Sequence, residues 1–273
     1  MSSCIHDREL LSPVIKRLED RITKATIASI TAGDRQLFVT VDDPTYGSLA
    51  GISLRPPGTI PRVKGEPVAT VLSTVEEWHE EKTQPVQRAV GMATLNALSS
   101  PLMNWIPGDP IEEKSGNAEI IVTVGLFGPA IEKWTDQEIR VIEREPVDGD
   151  ALPAHISLFT PDESVTAFDG ADLCFITGST LVYGGLSAYL AALPEKDRPT
   201  VVLIGATASF LPHGVFAAGV DVLAGIQIVD RVAVQQGIAA GACGSDLHTN
   251  GLEKVYWQAG SSTHEKPVNA REK

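Results

Sequence analysis

Three short stretches set glycine beside hydroxyl-bearing or small residues at the ends of apolar runs. They are Gly125-Leu126-Phe127-Gly128-Pro129, Thr177-Gly178-Ser179-Thr180 and Gly205-Ala206-Thr207-Ala208-Ser209. Such turns suit ligand binding. Glycine admits close approach and positive φ, and Ser and Thr hydroxyls both donate and accept. A helix start after the turn presents N–H groups with partial positive charge, which favours phosphate or carboxylate. Pro129 suits a first helical turn. Taken singly, each stretch is also what any strand-to-helix connection uses, since helices are capped by Ser or Thr whatever binds nearby. The succession of three points to a ligand crevice. Gly125-x-x-Gly128 falls short of the full G-x-G-x-x-G, so a dinucleotide is not singled out.

Other chemistry-bearing residues stand close by in sequence. His213, in Leu211-Pro212-His213-Gly214, follows the third turn and is the histidine best placed to reach a crevice; a surface histidine is the competing reading. Glu143, in Glu143-Arg144-Glu145, is either an acid for ribose hydroxyls or part of a solvated charge cluster. Asp230 reads first as a helix N-cap and second as a ligand contact. Of the six histidines, only Cys4-x-His6 and Cys243-x4-His248 pair with a nearby cysteine, whereas a structural zinc site takes four ligands. Cys174 lies in an apolar run and reads as core. There is no G-x-S-x-G elbow, H-E-x-x-H or P-loop. The sequence therefore announces no reaction, names no cofactor and leaves catalysis open.

The elements that must position these residues fall into two parts. Residues 8–22 carry Leu10, Leu11, Val14, Ile15, Leu18 and Ile22 at helical spacing. Ala25–Ile30 and Gln36–Val41 read as strands around Gly33-Asp34. Residues 42–65, rich in Pro and Gly, read as loop, residues 84–99 as a helix starting near Pro85, and 100–118 as a connection. Beyond it, strand-like runs (120–126, 139–143, 172–177, 201–205, 222–224 and 254–257) alternate with helix-like ones (129–136, 181–193, 212–218 and 230–240). That alternation, with long uncharged stretches, predicts a parallel sheet buried on both faces. All strand ends would then line one edge, where ligands of such sheets bind.

Composition bounds the partners. With 43% hydrophobic and 21% charged residues the chain can build a core. A net charge of −13 argues against nucleic acid and an anionic membrane surface as partners. Three scattered cysteines suggest a reducing compartment. The charged N-terminus lacks the apolar stretch of a signal peptide, and no apolar run is long enough to span a membrane. These readings point to the cytoplasm.

Several segments resemble a known prokaryotic group. VGLFGPAIEKW (124–134), ADLCFITGSTLVYGGL (171–186), VVLIGATASFLPHGVFAAGVDVLAG (201–225) and IVD (228–230) look like the heavy-metal-chelation domain family, a domain of unknown function. AVGMATLNALSS (89–100) looks like the end of that family's N-terminal domain. The resemblance implies an α/β fold: a smaller N-terminal α+β domain like the enolase N-terminal domain (8–105), then a Rossmann-like, doubly wound parallel sheet (118–258). It implies a site in the cleft between them. Carried over by residue, that site holds Gly125, Phe127, Gly128, Pro129, Thr177, Gly178, Ser179, Thr180, Gly205, Thr207, Leu211, Pro212, Asp230 and Asn96. This chain departs from the family in having Ala206-Thr207-Ala208 where Ser or Pro usually follows the glycine, which alters what that turn offers a ligand.

Three functions follow as expectations. The first is heavy-metal chelation through a small polar or anionic ligand: a chelator, its precursor or a metal complex. The second is an enzyme using an NAD-like or adenosyl cofactor. The third is a sensor or carrier whose two domains close on a ligand. A homo-oligomer stays open.

Overall fold

The computed structural model describes residues 7–76, 84–147 and 152–261. Its N-terminal part begins with α1 (Asp7–Arg17) and α2 (Glu19–Ile22). Leu10, Leu11, Val14, Leu18 and Ile22 are buried on the stripe that the helical spacing marked. Next comes an antiparallel meander: β1 (Thr26–Ala32), β2 (Gln36–Asp43) and β3 (Gly47–Leu54), in that order. Strand β3 corrects the loop expected over 42–65. Its sequence, GSLAGISL, reads as punctuation because glycine and serine lower strand propensity. Gly51 is there for packing: a Cβ on it would stand 2.1 Å from the Ala93 carbonyl oxygen.

That carbonyl belongs to α4. After α3 (Val68–Glu76), α4 (Pro85–Ser99) starts at the expected proline, and Gln84 and Gln87 form a reciprocal capping box. Every residue from Arg88 to Ser99 is buried, as befits a helix enclosed on all sides.

The remaining chain builds an eight-stranded sheet. In chain order its elements are β4 (Ile106–Pro107), α5 (Pro110–Ser115), β5 (Ile120–Val124), α6 (Gly128–Ile131), β6 (Glu138–Ile142), β7 (Ile156–Phe159), α7 (Ser164–Phe168), β8 (Leu173–Thr177), α8 (Thr180–Tyr183), α9 (Leu186–Ala192), β9 (Thr200–Ile204), α10 (His213–Ala217), β10 (Val222–Ile228), α11 (Arg231–Ala239), α12 (Ser245–Thr249) and β11 (Leu252–Gln258). The strand order is β4-β11-β10-β9-β8-β5-β6-β7. The run from β7 to β10 is parallel, and β11 and β4 close one end antiparallel. Numbered from β5, the six parallel strands follow 3-2-1-4-5-6, the Rossmann order, with the switch point between β5 and β8. The predicted doubly wound α/β architecture and its smaller antiparallel companion are both present.

Several details differ from the sequence reading. Strands β4 and β7 and helices α3, α5, α7 and α12 were unmarked, β4 and α5 falling within the expected 100–118 connection; they are short, and their apolar patterns are brief. The expected 181–193 helix divides into α8 and α9 at Gly184-Gly185, both at positive φ. Strand β10 runs four residues past Ala224, because β11 pairs with it along its whole length.

One continuous cluster of buried side chains joins Leu10, Val39 and Leu98 to Val124, Ile176 and Leu211, so the two sheets share a core. On the other face of the large sheet, Trp134 stacks on Phe175 at 5.4 Å.

The β2–β3 turn is pinned by a buried ion pair. Arg21 Nε donates to Asp43 Oδ2 at 2.7 Å, with side-chain exposures of 11% and 0%. Asp43 Oδ1 accepts from the Thr45 and Tyr46 N–H groups, and Arg21 Nη1 donates to the Leu98 carbonyl at the end of α4. Removing one partner of such a pair strands the other charge. Asp43→Ala should therefore lower the unfolding free energy by about 3 kcal/mol or more, read as a drop in the urea midpoint.

Candidate functional site

The three Gly/Ser/Thr turns do meet along one edge. Gly125, at φ +94°, ends β5, and a Cβ there would stand 3.1 Å from Thr177 Cγ2. Gly178, after β8, lies against Thr207, whose Cβ would be 3.3 Å from an added Cβ, and a Cβ on Gly205 would stand 3.9 Å from the Gly178 nitrogen. The sequence's geometric expectation of adjacency is met.

The hydroxyls and N–H groups of these turns are largely spent on the protein itself. The Thr180 hydroxyl donates to the Thr177 carbonyl at 2.7 Å, and Thr177 Oγ1 accepts from the Ser179 N–H. Thr207 Oγ1 accepts from the Leu54 N–H at 3.0 Å and lies 3.4 Å from Ser53 Oγ, a link between the two sheets. Glu143 Oε2 accepts from the Leu126 N–H at 3.0 Å, so a carboxylate of the chain itself occupies that donor. Phe127 packs into the cluster around Trp134. Gly128 and Pro129 open α6, which is only four residues long. Leu211 and Pro212 are buried, with Leu211 in the main core. His213 opens α10 and is exposed. Its helix lies against α1 so closely that a Cβ on Gly214 would meet the Leu10 carbonyl at 1.9 Å. Asp230 is the N-cap of α11, accepting from the Ala233 N–H at 2.9 Å.

A cavity of about 360 Å³ lies between β3, the end of α4 and the C-terminal end of β10; the third turn reaches it through Ser209, and the turns at Gly125 and Thr177 do not line it. One wall is Ser48–Ile52. A second runs from Asn96 through Ser100 and Pro101 to Trp105. A third holds Ser209, Ile226, Gln227, Ile228 and Arg231. Of the expected residues, Asn96 lines it. Asn96 is 2% exposed, and its Nδ2 donates to the carbonyls of Ile52, Ala206 and Thr207 at 2.8–3.2 Å. It therefore ties α4 to both sheets.

Arg231 is the charged residue of the lining. Its Nη1 donates to the Ser48 carbonyl at 2.6 Å and Nη2 to Ser48 Oγ at 2.7 Å, across the mouth from α11 to β3. A guanidinium has five N–H donors, and these bonds use two. Sequence reasoning missed Arg231, Ser48, Gln227 and Trp105. The signal for Arg231 was the fourth strand-to-helix turn, Val229-Asp230-Arg231, where the cap drew notice and the neighbouring cation did not.

Histidines and cysteines do not gather among the described residues. Among the described residues, no group of three or more His, Cys, Asp or Glu could hold a metal ion. Cys174 is fully buried in β8, and burial pushes its thiol far up, away from a metal-binding thiolate. His155 is half-buried after the 148–151 gap in the described residues. Cys4, His6, His79 and His264 lie outside the described residues. His248 is partly buried in α12, its Nδ1 3.3 Å from the Leu252 carbonyl. No helix among the described residues is long and apolar enough to cross a membrane.

A Rossmann-ordered sheet sharing its core with a three-stranded antiparallel sheet, and a cavity between the two, define the class: a two-sheet α/β protein with an inter-sheet pocket. A family model described as "Putative heavy-metal chelation" (DUF364) matches residues 109–257, more than half of the 273. The chain belongs to this family. It is similar in fold to a DUF364 protein of unknown function from Pyrococcus horikoshii. That match has 17% identity and a TM-score of 0.71, over 92% of this chain and 100% of that one. A DUF364 protein of unknown function from Desulfitobacterium hafniense is similar at 14% identity and a TM-score of 0.68, over 92% and 98%. No curated protein matches the chain.

Burial holds the His248 imidazole below its ordinary value, against an opposing push from the Leu252 carbonyl. Between the ordinary unfolded value near 6.5 and the lower folded one, the unfolded chain binds the extra proton. Stability from this site is thus present above pH 6.5 and falls as pH drops through the folded value. An NMR titration should give His248 a midpoint below 6.5, and His248→Gln should flatten the loss of stability in that window.

Proposed function

We propose that the protein binds a small, oxygen-rich anion in the inter-sheet cavity: an organic chelator, its precursor or its metal complex. The observation that carries this reading is the charge of the lining. Arg231 is its cation and no Asp or Glu accompanies it, in a chain of net charge −13. A guanidinium held in place by Ser48 is suited to a carboxylate, which it can grip through two parallel N–H bonds. Ser, Asn and Gln side chains around it offer neutral donors and acceptors. The volume is at the small end for ligand pockets, which fits a compact acid better than a dinucleotide.

The family description speaks of heavy metals. The described residues contain no ligand cluster for a bare ion, so on this reading the metal is cargo, arriving already coordinated by the organic acid. Catalysis is not required: no nucleophile-and-base pair lines the cavity, and the protein acts as a binder or carrier. In this reading Asn96 positions the walls, and the turn after β9 contributes Ser209 to the lining.

A second reading, a nucleotide at the β5/β8 switch point, is favoured by the Rossmann strand order. The Glu143 carboxylate on the Leu126 N–H and the four-residue α6 weigh against it. Native mass spectrometry of protein from its host would show a retained nucleotide if that reading holds.

Titration calorimetry with aliphatic and aromatic organic acids, inorganic phosphate and metal salts tests the first reading. We expect Arg231-dependent binding of the acid. Arg231→Gln should weaken it about 10- to 100-fold, as loss of a charged hydrogen-bond donor does. Binding of bare metal salts that Arg231→Gln leaves intact, with no acid bound, would overturn it.

A further inference from the structure

We infer that the acid taken by this cavity is aromatic: a flat, ring-bearing carboxylate rather than an aliphatic one. The inference rests on the anion reading above and concerns what lies beyond Arg231. The lining is divided in character. Arg231, Ser48, Asn104 and Gln227 are among its polar members, and Met103, Trp105 and Ile226 among those that supply carbon. An aliphatic polyacid such as citrate carries charge on every arm, and burying a carboxylate against carbon costs far more than its contacts return. A ring with one carboxylate matches both parts.

Trp105 is the residue that argues for a ring. It is half-buried and forms part of the cavity wall. Its indole is not free to swing. The next residue, Ile106, pairs with Tyr256 in the β4–β11 ladder, and the Trp105 ring leans on that of Trp257, centroids 6.2 Å apart and planes 56° apart. Trp257 is itself 3% exposed in the core. A large indole is thus held in the wall before any ligand comes, so little side-chain entropy is lost when a second ring packs against it, by face or by edge.

The remaining lining suits a flat guest. Ala50, Gly51 and Ser209 put small residues on two of the walls, beside the longer Leu49 and Ile226. Gln227 offers its amide to a ring hydroxyl or ring nitrogen, and the Ser100 hydroxyl, which donates to the Ala97 carbonyl, can accept from a ring hydroxyl. An acid with a hydroxyl or ring nitrogen next to its carboxylate can hold a metal through both, which agrees with a metal arriving as cargo.

The test is calorimetry of the full chain with 2,3-dihydroxybenzoate and picolinate as aromatic acids, and citrate and inorganic phosphate as non-aromatic controls. We expect an aromatic acid to bind more tightly than citrate. Trp105→Leu should weaken it about tenfold, as loss of one aromatic partner does. Trp105→Phe should restore most of the affinity. Far-ultraviolet circular dichroism and thermal melts establish that each variant is folded. Arg231-dependent binding of citrate or phosphate, with the aromatic acids no tighter or insensitive to Trp105→Leu, overturns this inference and leaves the anion reading standing. If no acid binds in an Arg231-dependent way, both fall.

Discussion

Helix α4 holds this molecule together because backbone can reach it closely on more than one side. A residue larger than glycine at position 51 would collide with the carbonyl of Ala93, and β3 could not lie where it does. On the side facing the large sheet, the Asn96 amide donates both to β3, at Ile52, and to the turn after β9, at Ala206 and Thr207. A polar side chain this deeply buried is tolerated where its donors are satisfied. The arrangement fixes the spacing between two sheets that have no strand in common, and that spacing leaves a cavity at the end of β10.

The large sheet was legible from sequence for a physical reason. Strands such as Leu173–Ile176 and Val201–Leu203 are buried on both faces, so they read as unbroken apolar runs. The strand-end turns were equally plain, and the sheet brings them together as expected. What they do there was less legible. A Ser or Thr looks the same in sequence whether its hydroxyl faces a ligand or, as with Thr180, the carbonyl three residues before it.

The antiparallel part was harder to read because tertiary packing overrode propensity. Strand β3 is made of the residue types that usually end strands, and only the nearness of α4 explains them. The same blindness applied to the cavity. Its walls are drawn from Ser48–Ile52, Pro101–Trp105 and Ile226–Arg231, segments distant in the chain, of which the first two were read as loop and connection. No spacing rule joins Trp105 to Arg231. Asn96, carried over from a family resemblance, was the one expected residue found in the wall.

The bonds from Arg231 to Ser48 cross 183 positions of the chain. A guest seated between those residues would close the same long loop a second time, acting as a removable staple between the first and last thirds of the polypeptide. Occupancy of the pocket and the melting temperature of the whole chain are then one thermodynamic quantity seen from two ends. Collections of unrelated small molecules can be ranked by heat alone, with no activity assay and whatever the cell supplies.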